Sequence, residues 1–154
     1  MLFMLPAWVK QGGTTVVVGP LIALHGDTMR RCEGLGISCA EWEGQRLLDA
    51  AAIVLVMPEL AVGKGFVMFL NRLKATQQLD WIVIDECHIV LNQRYTFCKQ
   101  MQQLGRLLMA ETQMVLLIAM LLPSEEEELY RRMHLQKEQV RMFKARTARK
   151  NVAY

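Results

Sequence analysis

The sequence predicts an α/β protein: a parallel β-sheet with helices packed on both faces, three layers in all. Two observations carry this. Apolar runs of strand length alternate with stretches of helical period, an order that puts successive strands in parallel and sends each connection across a face of the sheet. The runs are also continuous and rich in valine and isoleucine, as strands covered on both faces require. At 154 residues the chain is one domain and long enough to bury a real core.

The elements follow in order. "TTVVVG" (14–19) is a β-branched strand. "LIALHGDTMRRCEGLG" (21–36) has helical period, with Leu21, Leu24, Thr28, Arg31 and Leu35 near one face and Gly34 and Gly36 as stop signals. "ISCAEW" is a short strand, and "AAIVLVMP" (51–58) is a buried strand closed by Pro58. "FVMFLNRLKATQQ" (66–78) is an amphipathic helix leading into the strand "WIVIDE". "YTFCKQMQQLGRLLMAE" (95–111) reads as a helix despite Gly105, and "MVLLIAMLLP" (114–123) as a buried strand. Ser124 then caps a helix, with Glu127 completing a capping box, and Glu125 to Glu128 complement the positive end of that helix.

Composition narrows the class. Hydrophobic residues make up 53% and charged residues 21%, as in an ordinary soluble globular protein. A net charge of +3 is too small to imply a polyanion partner by itself. Its distribution says more: from Arg131 to Lys150 there are eight Lys or Arg and one acid, Glu138. That tail reads as a solvated face or as a phosphate contact. Cys32, Cys39, Cys87 and Cys98 have no C-x-x-C spacing, which argues against a zinc site and a disulfide framework and for free thiols. No apolar run reaches the roughly 20 residues that span a bilayer. "MLFMLPAWV" has no basic residue before it and no small-residue cleavage site after it, so it does not read as a secretory signal.

The chemistry concentrates at "WIVIDECHIVL" (81–91), a buried strand running into Asp85-Glu86-Cys87-His88. Carboxylates beside a core are costly to desolvate, and in a parallel α/β fold the carboxyl ends of strands are where ligands bind. Two adjacent acids there suit nucleotide hydrolysis. One holds hydrated Mg2+ on the phosphates and the next polarises the attacking water. A pair of acids that merely starts a loop is the plain alternative, but the buried strand before them and the Cys-His after them weigh against it.

"VIDECH" resembles motif II of superfamily 2 (DEAD/DEAH-like) helicases, and its Cys-His variant resembles the RecQ group, most closely the RecQ-like helicases found near fungal telomeres. Other segments resemble that family in the same order. "VVVGPLIALHGD" (16–27) resembles motif Ia, "VLVMPELAVG" (54–63) motif Ib with Met57 in place of Thr, and "MVLLIAMLLPSEEEEL" (114–129) motif III. "MLFMLPAWV" is similar to the helix after the phosphate loop, and "RTARKNVAY" to the close of the first motor domain.

The resemblance implies a RecA-like P-loop NTPase fold lacking its first strand and phosphate loop. Residues 1–154 would form a partial first motor domain, with the second motor domain absent. It implies ATP and Mg2+ as cofactors, with Asp85 on the metal through water, Glu86 orienting the water, and His88 relaying nucleotide state to motif III. His88 is alternatively a satisfied histidine at a strand end. It implies single-stranded or forked DNA as partner, contacted at Pro20, Leu21, Asp27, Pro58 and Glu59, 3′ to 5′ unwinding, and the nucleus as location. Tyr95 and Phe97 fall where relatives carry an aromatic DNA-sensing loop, or simply pack a helix face.

The departures bear equally on function. No G-x-x-x-x-G-K-[ST] occurs: "VGKGF" (62–66) has neither the preceding glycine loop nor the following hydroxyl. Motif III has become Ile118-Ala119-Met120, without its usual hydroxyls. In the family the strand feeding the phosphate loop is internal, so its loss would leave two neighbouring strands with unpaired edges. Two classes of function stand: part of an ATP-dependent RecQ-like helicase, inactive alone, or a non-catalytic remnant that keeps the fold as a nucleic-acid-binding module.

Overall fold

The computed structural model describes residues 3–9, 12–19, 22–44, 51–91 and 113–144. In chain order these form α1 (Met4–Val9), β1 (Thr14–Val18), α2 (Ile22–Gly34), β2 (Cys39–Glu41), β3 (Ile53–Val56), α3 (Pro58–Ala61), α4 (Lys64–Ala75) and β4 (Leu79–Ile84). A 3₁₀ turn (Cys87–Leu91), β5 (Met114–Leu116), a second 3₁₀ turn (Pro123–Glu125), α5 (Glu126–Arg132) and a last turn (Lys137–Gln139) follow. The helix expected over 95–111, with Tyr95, Phe97 and Cys98, lies outside the described residues.

The five strands form one sheet in the order β2-β3-β1-β4-β5, and every pairing is parallel. β1 and β3 are buried along their whole length, as continuous β-branched runs demand. Alternate residues serve opposite faces. Val16, Val18, Val54, Val56, Ile82 and Ile84 pack with Phe66, Phe69, Leu70 and Leu73 of α4 and Leu129 of α5. Val17, Ile53, Leu55 and Val83 pack with Phe3, Met4 of α1 and Cys32 of α2. The expected three layers are present, with α1 and α2 on one face and α4 and α5 on the other.

Four expectations are corrected. Among the described residues the sheet has no interior gap: β1, β3 and β4 each pair on both sides, and the edges are β2 and β5, three half-buried residues each. The run at 114–123 is a strand only over Met114–Leu116. Leu117 still donates to Ile84 O (2.9 Å), but β4 turns away there, so Ile118-Ala119-Met120 has no ladder to continue.

The buried face of α2 holds His25, Thr28 and Cys32, not Arg31 and Leu35. Arg31 stays in water to pair with Asp27 (2.7 Å), and Leu35 lies beyond the helix, before Gly36 at φ +69°. Ser124 is not a helix cap. Pro123, with its pre-set φ, starts the turn one residue earlier, and the Glu125 carboxylate accepts the Leu122 N–H (3.2 Å). Pro58 likewise opens α3 at its first turn.

Candidate functional site

β1 and β4 are neighbours whose onward connections run to opposite edges of the sheet, β1 towards β2 and β4 towards β5. The crevice between their carboxyl ends is the switch point where ligands of open α/β sheets bind. Asp85 stands at its rim. Its N–H donates to Val18 O (2.9 Å), carrying the β1–β4 ladder one step past β4, and Cys87 N–H donates to Leu117 O (3.0 Å). Three strand ends therefore fix the Asp85-Glu86-Cys87-His88 turn.

The turn is strained at one residue. Glu86 has φ +52°, a left-handed conformation costing a side-chain-bearing residue about 1–2 kcal/mol. Gln77 and His134 also have positive φ, but each ends a helix with the residue after it donating back, Gln78 N–H to Leu73 O (2.8 Å) and Leu135 N–H to Tyr130 O (2.9 Å). Glu86 ends no helix.

The side chains divide into spent and unspent groups. One Asp85 oxygen accepts the Glu86 N–H (3.0 Å), and a carboxylate has capacity for further partners. Glu86 Oε2 and His88 Nδ1 lie 3.1 Å apart, too poorly aligned to form a hydrogen bond, and each is a buried atom without another partner. Orphaned buried polar atoms are rare and costly. A water beside them could donate to the Glu86 oxygen, and a phosphate oxygen could accept only from the His88 nitrogen when it carries a proton. Cys87, by contrast, is fully buried in the core, and burial pushes its thiol up to about 12. It is packing, not chemistry.

The acidic run before the basic tail does more than complement a helix end. Glu128 is gripped by Arg131, at 2.6 and 2.8 Å, and by Arg132. Arg132, its side chain only 12% exposed, also donates to Val90 O (2.8 Å) and Leu91 O (3.3 Å). It thus ties α5 to the 3₁₀ turn that carries His88. Lys144 pairs with Glu126. Three cations of the tail are therefore engaged within the chain, while Arg146, Arg149 and Lys150 lie outside the described residues.

The hydrogen bonds from Arg131 and then Arg132 hold the Glu128 carboxyl down at about 2, against an ordinary 4.5. A depressed carboxyl contributes stability that is fully present above its ordinary value and lost as pH falls towards the folded one. The α5 contact should therefore loosen between pH 4.5 and 2. Melting temperature measured across that window should fall less steeply in Glu128→Gln than in the parent chain. Parallel curves would show that the cluster contributes nothing.

Of the expected nucleic-acid residues, Pro20 and Leu21 lie outside the described residues. Asp27 is paired with Arg31 and lies near Arg30 (3.6 Å), Pro58 is buried and shapes the α3 turn, and Glu59 is exposed on that turn. The ends of β3, β1 and β4 are adjacent, so the segments resembling motifs Ib, Ia and II share the carboxyl end of the sheet. Sequence reasoning passed over His25, whose Nδ1 lies 2.8 Å from Glu41 and whose buried Nε2, without a hydrogen-bond partner, sits beside Gly19. The only sign of it was an imidazole in an apolar helical run.

A parallel sheet of this order, with Asp-Glu on the strand at its switch point, is the arrangement of a RecA-like α/β domain. Residues 1–129 match the DEAD/DEAH box helicase family, and the chain belongs to that family. Within it the chain is RecQ-like. It is 30% identical over 168 residues to the ATP-dependent DNA helicase Q5 of Rattus norvegicus and 29% identical to that of Mus musculus. Each alignment covers 99% of this chain and 17% of the relative, so the chain spans about a sixth of their length.

The family uses ATP and Mg2+ and acts on nucleic acid. The Asp85 carboxylate and the two orphaned atoms fit a hydrated Mg2+ with its phosphates. Among the described residues no three His, Cys, Asp or Glu cluster as a metal cage. Among the described residues no helix is long and apolar enough to cross a membrane.

Proposed function

We propose that this chain is a partial first motor domain of a RecQ-like DNA helicase, a protein of the nucleus coupling ATP hydrolysis to 3′ to 5′ unwinding. The observation that carries the reading is the strained Asp85-Glu86 turn at the β1–β4 switch point, with Glu86 Oε2 and His88 Nδ1 unsatisfied. Asp85 would hold Mg2+ through water. Glu86 would orient the attacking water, and His88, 3.1 Å away, would sense its charge. Mg2+ supplies neutralisation of phosphate charge when bound.

Single-stranded DNA would cross the strand ends at Pro20, Leu21, Asp27, Pro58 and Glu59, with the contacts mostly to the DNA backbone and not to its bases. A second reading, a module that binds nucleic acid without turnover, is favoured by Ile118-Ala119-Met120, which carries no hydroxyl in the segment that resembles motif III.

Both readings expect weak, sequence-indifferent binding of single-stranded DNA. Its affinity should fall with salt at a log–log slope of roughly 0.7 per phosphate contacted. Neutralising Arg141, Lys144, Arg146 and Arg149 together separates the surfaces. Binding should survive with a modestly smaller slope. Complete loss would place the affinity in the tail and leave the strand-end surface silent.

A further inference from the structure

α2 and β2 face each other across a seam that brings two cysteines of one short segment together. Helix α2 ends at Gly34, and the chain reverses at once. Leu35 and Ile37 both donate to Cys32 O (3.0 and 2.9 Å), with Gly36 in the left-handed region at φ +69°. Two residues later β2 begins at Cys39. Cys32, fully buried, and Cys39, half-buried, pack into the same apolar cluster on that face of the sheet. Helix α2 and strand β2 are in contact along this seam, which brings the two thiols near enough to perturb each other.

We infer that Cys32 and Cys39 form a dithiol that closes to an intramolecular disulfide on exposure to a low-molecular-weight disulfide such as oxidised glutathione, stapling α2 to the edge strand β2. Cys39, the half-exposed partner, loses its proton to solvent and its thiolate attacks oxidised glutathione. One glutathione thiolate leaves and takes up a proton, and a mixed disulfide remains on Cys39. Cys32, as thiolate, then attacks the Cys39 sulfur and expels the second glutathione. One disulfide is formed and one is broken, with no other oxidant needed. The inference is independent of the helicase reading, because it concerns α2 and β2 and not the β1–β4 crevice.

The local electrostatics set the rate. Burial first, then the neighbouring Cys32 and Glu41, push Cys39 up to about 12, and burial raises Cys32 as well. Since the thiolate is the nucleophile, closure is slow at neutral pH. It should accelerate about tenfold per pH unit with no plateau through pH 9, whereas an unperturbed thiol near 8.5 levels off there. A slow, steeply alkaline reaction distinguishes this pair from an exposed cysteine.

The test is direct, because no Lys or Arg lies between the two: trypsin releases both in one peptide, residues 32–46. After treatment of the 154-residue chain with oxidised glutathione, that peptide should be lighter by two hydrogens. It should resist iodoacetamide until reduced, and it should form at a rate that climbs tenfold per pH unit. In Cys32→Ser the peptide should instead accumulate a glutathione adduct on Cys39. In Cys39→Ser, Cys32 should stay unmodified because it is buried. A stable glutathione adduct in the parent chain, two separately alkylated cysteines, or a pH profile that levels off below pH 9 would overturn the inference. If Cys32→Ser does not fold, the parent peptide mass and its pH profile decide alone.

Discussion

Given ATP, Mg2+ and single-stranded DNA, the 154-residue chain is expected to release phosphate no faster than buffer. Phosphoryl transfer depends on positioning and charge stabilisation more than on a base. The carboxylates at Asp85 and Glu86 supply a metal seat and a water-orienting group, but no glycine-rich cradle with its Lys exists in this sequence. An arginine finger alone is worth about 10³–10⁵ in rate. DNA-stimulated turnover by this chain that disappeared in Glu86→Gln would overturn the expectation. Joined to the remaining motor segments of a RecQ-type relative, the same residues should become essential. Glu86→Gln should then cost about 10²–10⁴ in turnover and spare Mg-ATP binding, because it removes the water-orienting group and not the metal seat. Asp85→Asn should weaken the Mg-dependent part of binding. Equal activity of both variants and the parent would reduce the Asp85-Glu86 turn to a strand end.

Phe66→Ala should cost about 3–5 kcal/mol of folding stability, a large share of the roughly 5–15 kcal/mol that holds such a domain together. Phe66 is 1% exposed in the first turn of α4. It meets Trp42 edge-on at 5.4 Å and Phe69 at 6.0 Å, while Trp42 also lies 4.9 Å from Phe69. Trp42 follows the edge strand β2, so the three rings join that edge to the helix covering the sheet. Truncation opens a cavity that the rigid neighbouring rings cannot close. Urea unfolding should show a lowered midpoint with an unchanged slope, and a loss below about 1 kcal/mol would mean that the cluster repacks.

The strands were legible because their signal is local. Continuous β-branched runs at 14–19 and 51–58 have no other way to be buried, and the carboxylates after Ile84 fall where strand direction puts them. What escaped depends on distant residues. The length of β5 is set by where β4 turns away, not by its own apolar run. The rotation of α2 is set by Arg31 reaching Asp27 in water, and Ser124 lost its capping role to a proline that starts the turn earlier. The expected pair of unpaired interior edges came from the resemblance, whereas β1 and β4 pair directly. Within the site, Asp85, Glu86 and His88 were legible as residue types. The left-handed Glu86, the Arg132 contacts with the Val90 and Leu91 carbonyls, and the His25–Glu41 pair arise only when separate segments meet.

The Asp85 N–H bonded to Val18 O gives the two ends of the crevice a common hinge pin. A load placed at Gly19, the residue after Val18, reaches the Asp85 turn through one peptide hydrogen bond of the sheet, with no side chain in between. Ile118-Ala119-Met120, at the neighbouring strand end, offers no side-chain hydroxyl to link the same elements. A relay made of main chain survives any substitution short of proline at position 85. Substitutions in the loops can therefore change the side chains around the crevice without uncoupling the two strand ends from each other.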